Sequence, residues 1–133
     1  MNWIELNGLL QVDSIREKSG EKPLDIFKHS SRCAVSSLVL NKLEKSACSP
    51  AADFYFLYLI KHRDVSDKIA EEFSVYHESP QILVIRNGEC IYDESHFAIN
   101  MDDIAEQAAS VLIPPLFAYF CFKASPQLYV LYF

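Results

Sequence analysis

Residues 24–37, Leu-Asp-Ile-Phe-Lys-His-Ser-Ser-Arg-Cys-Ala-Val-Ser-Ser, decide how the chain is read. Pro23 opens an apolar run, residues 24–29, whose β-branched Ile26 and bulky neighbours predict a strand. Ser30-Ser31-Arg32-Cys33 is a polar turn. Val35, Leu38, Val39, Leu40 and Leu43 follow at helical spacing and predict a helix that ends near Lys45-Ser46. Cys33 therefore falls where a strand has ended and a helix begins. The first turn of a helix carries unpaired N–H groups and a partial positive charge, which stabilise an anion. A thiol there is expected to ionise below its usual ~8.5. Arg32 adds a permanent positive charge, Lys28 and His29 end the incoming strand nearby, and Ser36, three residues on, is close enough for its hydroxyl to bond the sulfur. The competing reading makes Cys33 an ordinary small buried hydrophobe, as free cysteines often are. The strand–turn–helix setting and the adjacent arginine favour a reactive thiol.

Outward from this stretch the chain alternates between helix and strand. Residues 12–18 read as a short helix capped by Asp13 or Ser14. Residues 54–60 are a continuous apolar run, as in a strand buried on both faces. Residues 65–73 carry Val65, Ile69 and Phe73 one turn apart, an amphipathic helix capped by Asp64 or Ser66. Residues 81–86 and 89–94 flank Asn87-Gly88, a two-residue hairpin signal. Asn100 opens a last helix through about Ser110, with Asp102 and Asp103 at its positive end. The order α-β-α-β-α-β-β-α joins a βαβ unit to a terminal antiparallel hairpin. It predicts an α/β fold, a three-layer α/β/α sandwich with a mixed sheet.

Composition restricts the function. The 133 residues suit one compact domain, and 50% hydrophobic with 23% charged side chains is a globular balance. Twelve basic against eighteen acidic residues leave a net charge of −6, so no nucleic acid is expected as partner. The acidic, unpatterned amino terminus lacks the order of a secretion signal, and a cytoplasmic location is expected. Residues 1–110 read as the domain. Residues 111–133 differ: 17 of the 23 are hydrophobic, seven are aromatic, and Lys123 is their only charge. Pro114 and Pro115 interrupt a run too short to span a membrane, which takes roughly 20 apolar residues. An extra strand or cap, a partner-binding tail and an altered terminus all remain open for this segment. The four cysteines, Cys33, Cys48, Cys90 and Cys121, show no CxxC spacing, and His29, His62, His77 and His96 show no HxH or HExxH spacing, so no metal is expected. Cys48 lies 15 residues beyond Cys33, about 20 Å along a helix, whereas a disulfide needs Cα atoms within roughly 7 Å. Cys90, just past the hairpin turn, and Cys121, in the apolar tail, read as strand or core packing residues, with a resolving role left open for both. His29 reads as a solvated strand-end side chain, or as one that binds an anionic thiol or deprotonates Cys33.

Ser79-Pro80 stands directly before the strand at 81–86. A proline at a strand's first residue is sterically tolerated. The functional alternative is a cis bond that presents the Ser79 backbone to a thiol substrate beside Cys33. Residues 1–110 resemble the thioredoxin superfamily in this order of elements. Residues 26–37, Ile-Phe-Lys-His-Ser-Ser-Arg-Cys-Ala-Val-Ser-Ser, with Glu78-Ser79-Pro80-Gln81, are similar to the monothiol bacilliredoxins of the bacillithiol system through an Arg-Cys-x-x-Ser site. The resemblance implies a thioredoxin-like fold and a thiol–disulfide oxidoreductase that removes a low-molecular-weight thiol, bacillithiol, from S-thiolated proteins. It makes Cys33 the nucleophile, puts Ser36 where dithiol relatives carry a resolving cysteine, and matches Pro80 to the superfamily's cis-proline. Cys33, Ser36 and Arg32 are then the catalytic candidates, and Ser79, Pro80, Ser31 and His29 the substrate-binding ones. Bacillithiol is a co-substrate and no cofactor is expected to be bound. Ala34 departs from the family, which often carries Pro there, and residues 111–133 have no counterpart in it. A non-catalytic thioredoxin-like binding module and a redox sensor are the alternative functions.

Overall fold

The computed structural model describes residues 1–46 and 52–110. The strand that enters the decisive turn is β2, Leu24–His29, and the helix that leaves it is α2, Ala34–Lys45. Before them stand β1, Trp3–Glu5, and α1, Leu9–Lys18. After them come β3, Asp53–Tyr58, α3, Arg63–Glu72, β4, Gln81–Arg86, β5, Glu89–Ser95, a 3₁₀ turn at His96–Ala98, and α4, Met101–Ser110. The sheet order is β1-β3-β2-β4-β5; β1 and β2 run parallel to β3, and β4 runs antiparallel to β2 and β5. The expected mixed α/β sandwich is therefore present.

Strand periodicity divides the core. Leu24 and Ile26 on β2 face one side with Val12 and Ile15 of α1 and Val65 and Ile69 of α3. Phe27 faces the other with Val39 and Leu43 of α2 and Ile104 of α4. Each such fully buried side chain contributes about 1.5–3 kcal/mol relative to exposure. β2 is buried along its whole length because helices cover both its faces, whereas edge strand β5 alternates between exposed and half-buried positions.

Several boundaries differ from expectation. Strand β1 is absent from the sequence reading because three residues are too few to display a period; it is defined by parallel pairing with β3, Trp3 opposite Phe54. Helix α1 begins at Leu9 rather than residue 12, flanked by Gly8, and the expected caps Asp13 and Ser14 lie inside it. The Gln11 side chain accepts the N–H groups of Asn7 and Gly8 at 2.9 and 3.2 Å. Leu9 and Leu10 are exposed, so the first turn has no apolar face to reveal it. Helix α3 begins at Arg63 after His62; Asp64 sits in the first turn and Ser66 is buried in it. Strand β3 stops at Tyr58, and Leu59 and Ile60 enter a turn instead of continuing it. Asn87 and Gly88 adopt φ of 54° and 77°, the left-handed pair a tight hairpin needs. Asn100 precedes α4 as a cap whose side-chain oxygen accepts the Asp103 N–H at 2.9 Å. Residues 111–133, with Cys121, and residues 47–51, with Cys48, lie outside the described residues. Among the described residues no helix is long and apolar enough to cross a membrane.

One buried group works against the core. Asp25 on β2 is 1% exposed, and neither carboxylate oxygen has a partner among the described residues. Burial pushes its carboxyl up from 3.8 to about 8. The fold thus holds the protonated form, while the unfolded chain releases that proton near 3.8. The stability this group contributes is full below that value and is lost as pH rises through about 8. In thermal or urea unfolding, Asp25→Asn is expected to match the parent closely at pH 4 and to exceed it at pH 9 by on the order of 6 kcal/mol. A difference that does not change between the two pH values would refute this.

Candidate functional site

The site begins where β2 runs out. The His29 carbonyl accepts the Leu59 N–H at 2.9 Å, the last tie to the β3 side. The chain then turns through Ser30, Ser31 and Arg32. The Ser30 carbonyl accepts the Cys33 N–H at 3.1 Å, and Cys33 takes an extended backbone (φ −108°, ψ 117°) just outside α2. Its carbonyl accepts the Ser37 N–H at 3.2 Å, the first bond of the helix. Cys33 thus occupies the cap position, where serine or aspartate usually satisfies the free N–H groups of the first turn. Its thiol makes no such bond, so those donors stay available to an incoming or developing anion. No acidic residue lies in the first turn of α2, while Lys42 and Lys45 occupy its last turn, the arrangement its dipole favours. Cys33 is partly exposed, and Ser31 and Arg32 are exposed beside it.

Three neighbours depart from expectation. Ser36 does not reach the sulfur. It is fully buried, and its hydroxyl oxygen accepts the Ser30 N–H at 3.1 Å and lies 2.8 Å from His29 Nδ1. His29 is not solvated: it is 4% exposed, with its ring set among Phe27, Phe56 and Tyr58 at centroid distances of 6.1, 5.4 and 5.6 Å. Burial lowers the pKa of this imidazole below its ordinary 6.5, so it is neutral at pH 7 and offers no cation to an anionic thiol. Lys28 does not flank the site either. Successive strand residues face opposite sides, and Lys28 lies buried on the α1/α3 side, its Nζ 3.4 Å from His77 Nδ1. Burial brings its ammonium down to about 8.

The Ser79-Pro80 bond is cis. Pro80 is buried and Ser79 half-buried, and the Ser79 hydroxyl has no partner among the described residues. The segment around them is held from several sides. Gln81 donates to the Tyr76 carbonyl at 2.9 Å, the His96 N–H donates to the Pro80 carbonyl at 3.0 Å, and the His96 ring meets Glu78 at 3.1 Å. His77 Nδ1 lies 3.1 Å from the Ser66 hydroxyl.

The aromatic surround of His29 is what the sequence reading missed. Phe54, Phe56 and Tyr58 were legible only as strand core. The parallel register that sets Phe27 opposite Phe56 and His29 opposite Tyr58 makes the ring cluster, and that register is a tertiary fact. The same face continues into a shallow groove of about 330 Å³ lined by Trp3, Glu5, Leu40, Glu44, Phe56 and Tyr58. Cys90 packs on β5 against the α1/α3 core, its Sγ 3.3 Å from the Tyr92 carbonyl. Burial pushes its thiol up to about 11. Among the described residues no group of three or more His, Cys, Asp or Glu side chains is arranged to hold a metal ion.

Comparison with known proteins bears on this geometry. The family model described as monothiol bacilliredoxin BrxC matches residues 4–104. A solved structure described as an oxidoreductase with a thioredoxin fold is 32% identical, with a TM-score of 0.69, covering 78% of this chain and 91% of that one. The thioredoxin of Trypanosoma brucei brucei, 12% identical, has a TM-score of 0.66 over 84% of this chain and 91% of its own. That of Malassezia sympodialis, 14% identical, has a TM-score of 0.64 over 81% and 90%. The two thioredoxins share the fold alone.

The raised Cys90 thiol gives a direct check. With the thiol at about 11 instead of 9.0, the thiolate fraction at pH 8 falls about a hundredfold. Iodoacetamide labelling followed by peptide mapping is expected to modify Cys90 at least that much more slowly in the folded protein than in urea. Equal rates in the two states would contradict the burial of this sulfur.

Proposed function

The chain belongs to the monothiol bacilliredoxin family and is a thioredoxin-fold thiol oxidoreductase; from that premise we propose that it removes bacillithiol from S-thiolated proteins with Cys33 as nucleophile. The observation that carries this reading is the partly exposed Cys33 at the uncapped start of α2, with no second thiol placed to answer it among the described residues. Ser36 stands in the CxxC position and is not a thiol. Cys90 lies against the opposite face of the sheet from α2.

The chemistry that follows is a transfer rather than an intramolecular exchange. The Cys33 thiolate attacks the bacillithiol sulfur of the mixed disulfide. The protein–bacillithiol S–S bond breaks, a Cys33–bacillithiol S–S bond forms, and the substrate protein leaves as a thiolate that takes a proton from water. A second bacillithiol thiolate then attacks the bacillithiol sulfur on Cys33. It yields bacillithiol disulfide and regenerates the Cys33 thiolate, so each turnover consumes one free bacillithiol and pairs its sulfur with the one taken from the substrate protein. The free N–H groups of α2 favour an anionic sulfur at this point, and the exposed Arg32 precedes it in the turn. Ser31 and the Ser79-Pro80 backbone are the remaining candidates to hold the disulfide beside Cys33. The reaction needs a reservoir of reduced small thiol, which fits the cytoplasm.

Multiple-turnover reduction of a bacillithiolated protein tests the reading. The parent protein is expected to turn over only with free bacillithiol present and to stop after one equivalent without it. Cys33→Ser is expected to lose at least about a thousandfold in rate. Turnover retained in Cys33→Ser would reject Cys33 as nucleophile. Binding of substrate protein without turnover in the parent would favour a non-catalytic module.

A further inference from the structure

We infer that His29 and Ser36 act as one positioning unit for the thiol-transfer step: the imidazole fixes the Ser36 hydroxyl, and that hydroxyl fixes the Ser30 peptide from which Cys33 is hung. The inference rests on Cys33 being the reacting sulfur.

The argument starts from burial. Ser36 has no solvent exposure, so its hydroxyl must find partners inside the protein or destabilise the fold. A serine in a helix commonly bonds the carbonyl one turn back. Here its oxygen instead reaches out of α2 to the Ser30 N–H at 3.1 Å and to His29 Nδ1 at 2.8 Å. Ser30 is the residue at which the chain leaves the sheet, so its N–H has lost the strand ladder. Its carbonyl receives the Cys33 N–H at 3.1 Å. The Ser30 residue is therefore gripped at both polar groups, once by Ser36 and once by Cys33 itself.

His29 completes the unit. With the Ser36 oxygen already accepting the Ser30 N–H, the hydroxyl hydrogen is free to point at Nδ1, and a neutral ring accepts it there while carrying its own proton on Nε2. The Phe27, Phe56 and Tyr58 rings leave the imidazole little freedom to turn away. Neither side chain bonds the sulfur. Both act through the backbone, by keeping the cysteine at the one place where the unpaired N–H groups of α2 face it. Displacements of about 1 Å at a reacting centre are enough to cost ~10²-fold in rate.

Ser36→Ala and His29→Phe separate this unit from two independent contacts. Each is expected to slow iodoacetamide labelling of Cys33 at pH 7 about tenfold, and the double variant no further, because the two groups share one function. His29→Asn, whose amide can accept near the Nδ1 position, is expected to restore most of the loss. Hydrogen exchange at the Ser30 amide reads the clamp itself, and is expected to speed up at least about tenfold in Ser36→Ala and in His29→Phe but not in His29→Asn. Should His29→Phe fail to fold, Ser36→Ala removes a single oxygen and decides the matter alone. Unchanged Ser30 exchange in Ser36→Ala overturns the inference, and so do losses that multiply in the double variant. Bacillithiol transfer retained in Cys33→Ser, with Ser30 exchange responding as described, rejects the thiol-transfer reading and leaves the clamp standing.

Discussion

The free N–H groups at the start of α2 are the constraint on which the rest of this protein turns. A helix that follows a strand through a four-residue turn must leave these donors without backbone partners. Most proteins satisfy them with a serine, threonine or aspartate cap. Here the cap position holds Cys33, whose thiol leaves them unfilled, and no acidic side chain in the first turn competes for them. The sheet supplies the rigidity this needs: β2 is buried along its length, bonded to β3 on one side and β4 on the other, and it ends one residue before the turn.

The alternation of β2 sorts the charges that bear on that helix start. Lys28 and His29 are adjacent in sequence and lie on opposite faces. The lysine goes to the α1/α3 side, where it meets His77, and the histidine goes to the α2 side, where it meets Ser36. A cation that sequence proximity assigns to the sulfur is thus removed from it by strand geometry, and a histidine that looks solvent-facing becomes a buried neutral ring. What remains beside Cys33 is the exposed Arg32 and the helix itself. Cys90 is set apart from Cys33 by the same sorting of faces, and burial against the α1/α3 core raises its thiol to about 11.

How much of this was legible beforehand follows from which features are local. The β2–turn–α2 unit, the Asn87-Gly88 hairpin and the helix after Asn100 are written in short-range chemistry, and they stand where the residues predict. The cis state of Ser79-Pro80 rested on family resemblance, since most X–Pro bonds are trans. Strand β1 and the early start of α1 escaped because Trp3–Glu5 is defined by its partner and because Leu9 and Leu10 face water. The partners of Ser36 were misjudged for a related reason. Spacing within a helix suggests Cys33 as its neighbour, yet the hydroxyl is claimed by the end of β2, six and seven residues earlier in the chain. Local spacing names neighbours on one element and is silent about what a neighbouring strand brings to it. Asp25 was unreadable for the converse reason: an acidic residue in an apolar run says nothing about whether a partner awaits it.

The most direct measurement is the location of the small thiol during the reaction. Mixing the full chain with a bacillithiolated protein, quenching in acid within the first turnover and mapping disulfides by mass spectrometry should find bacillithiol on Cys33 in step with release of the reduced substrate. Bacillithiol on Cys48, Cys90 or Cys121 while Cys33 stays unmodified would contradict the account, because no other described sulfur stands at the start of a helix with its N–H groups unfilled.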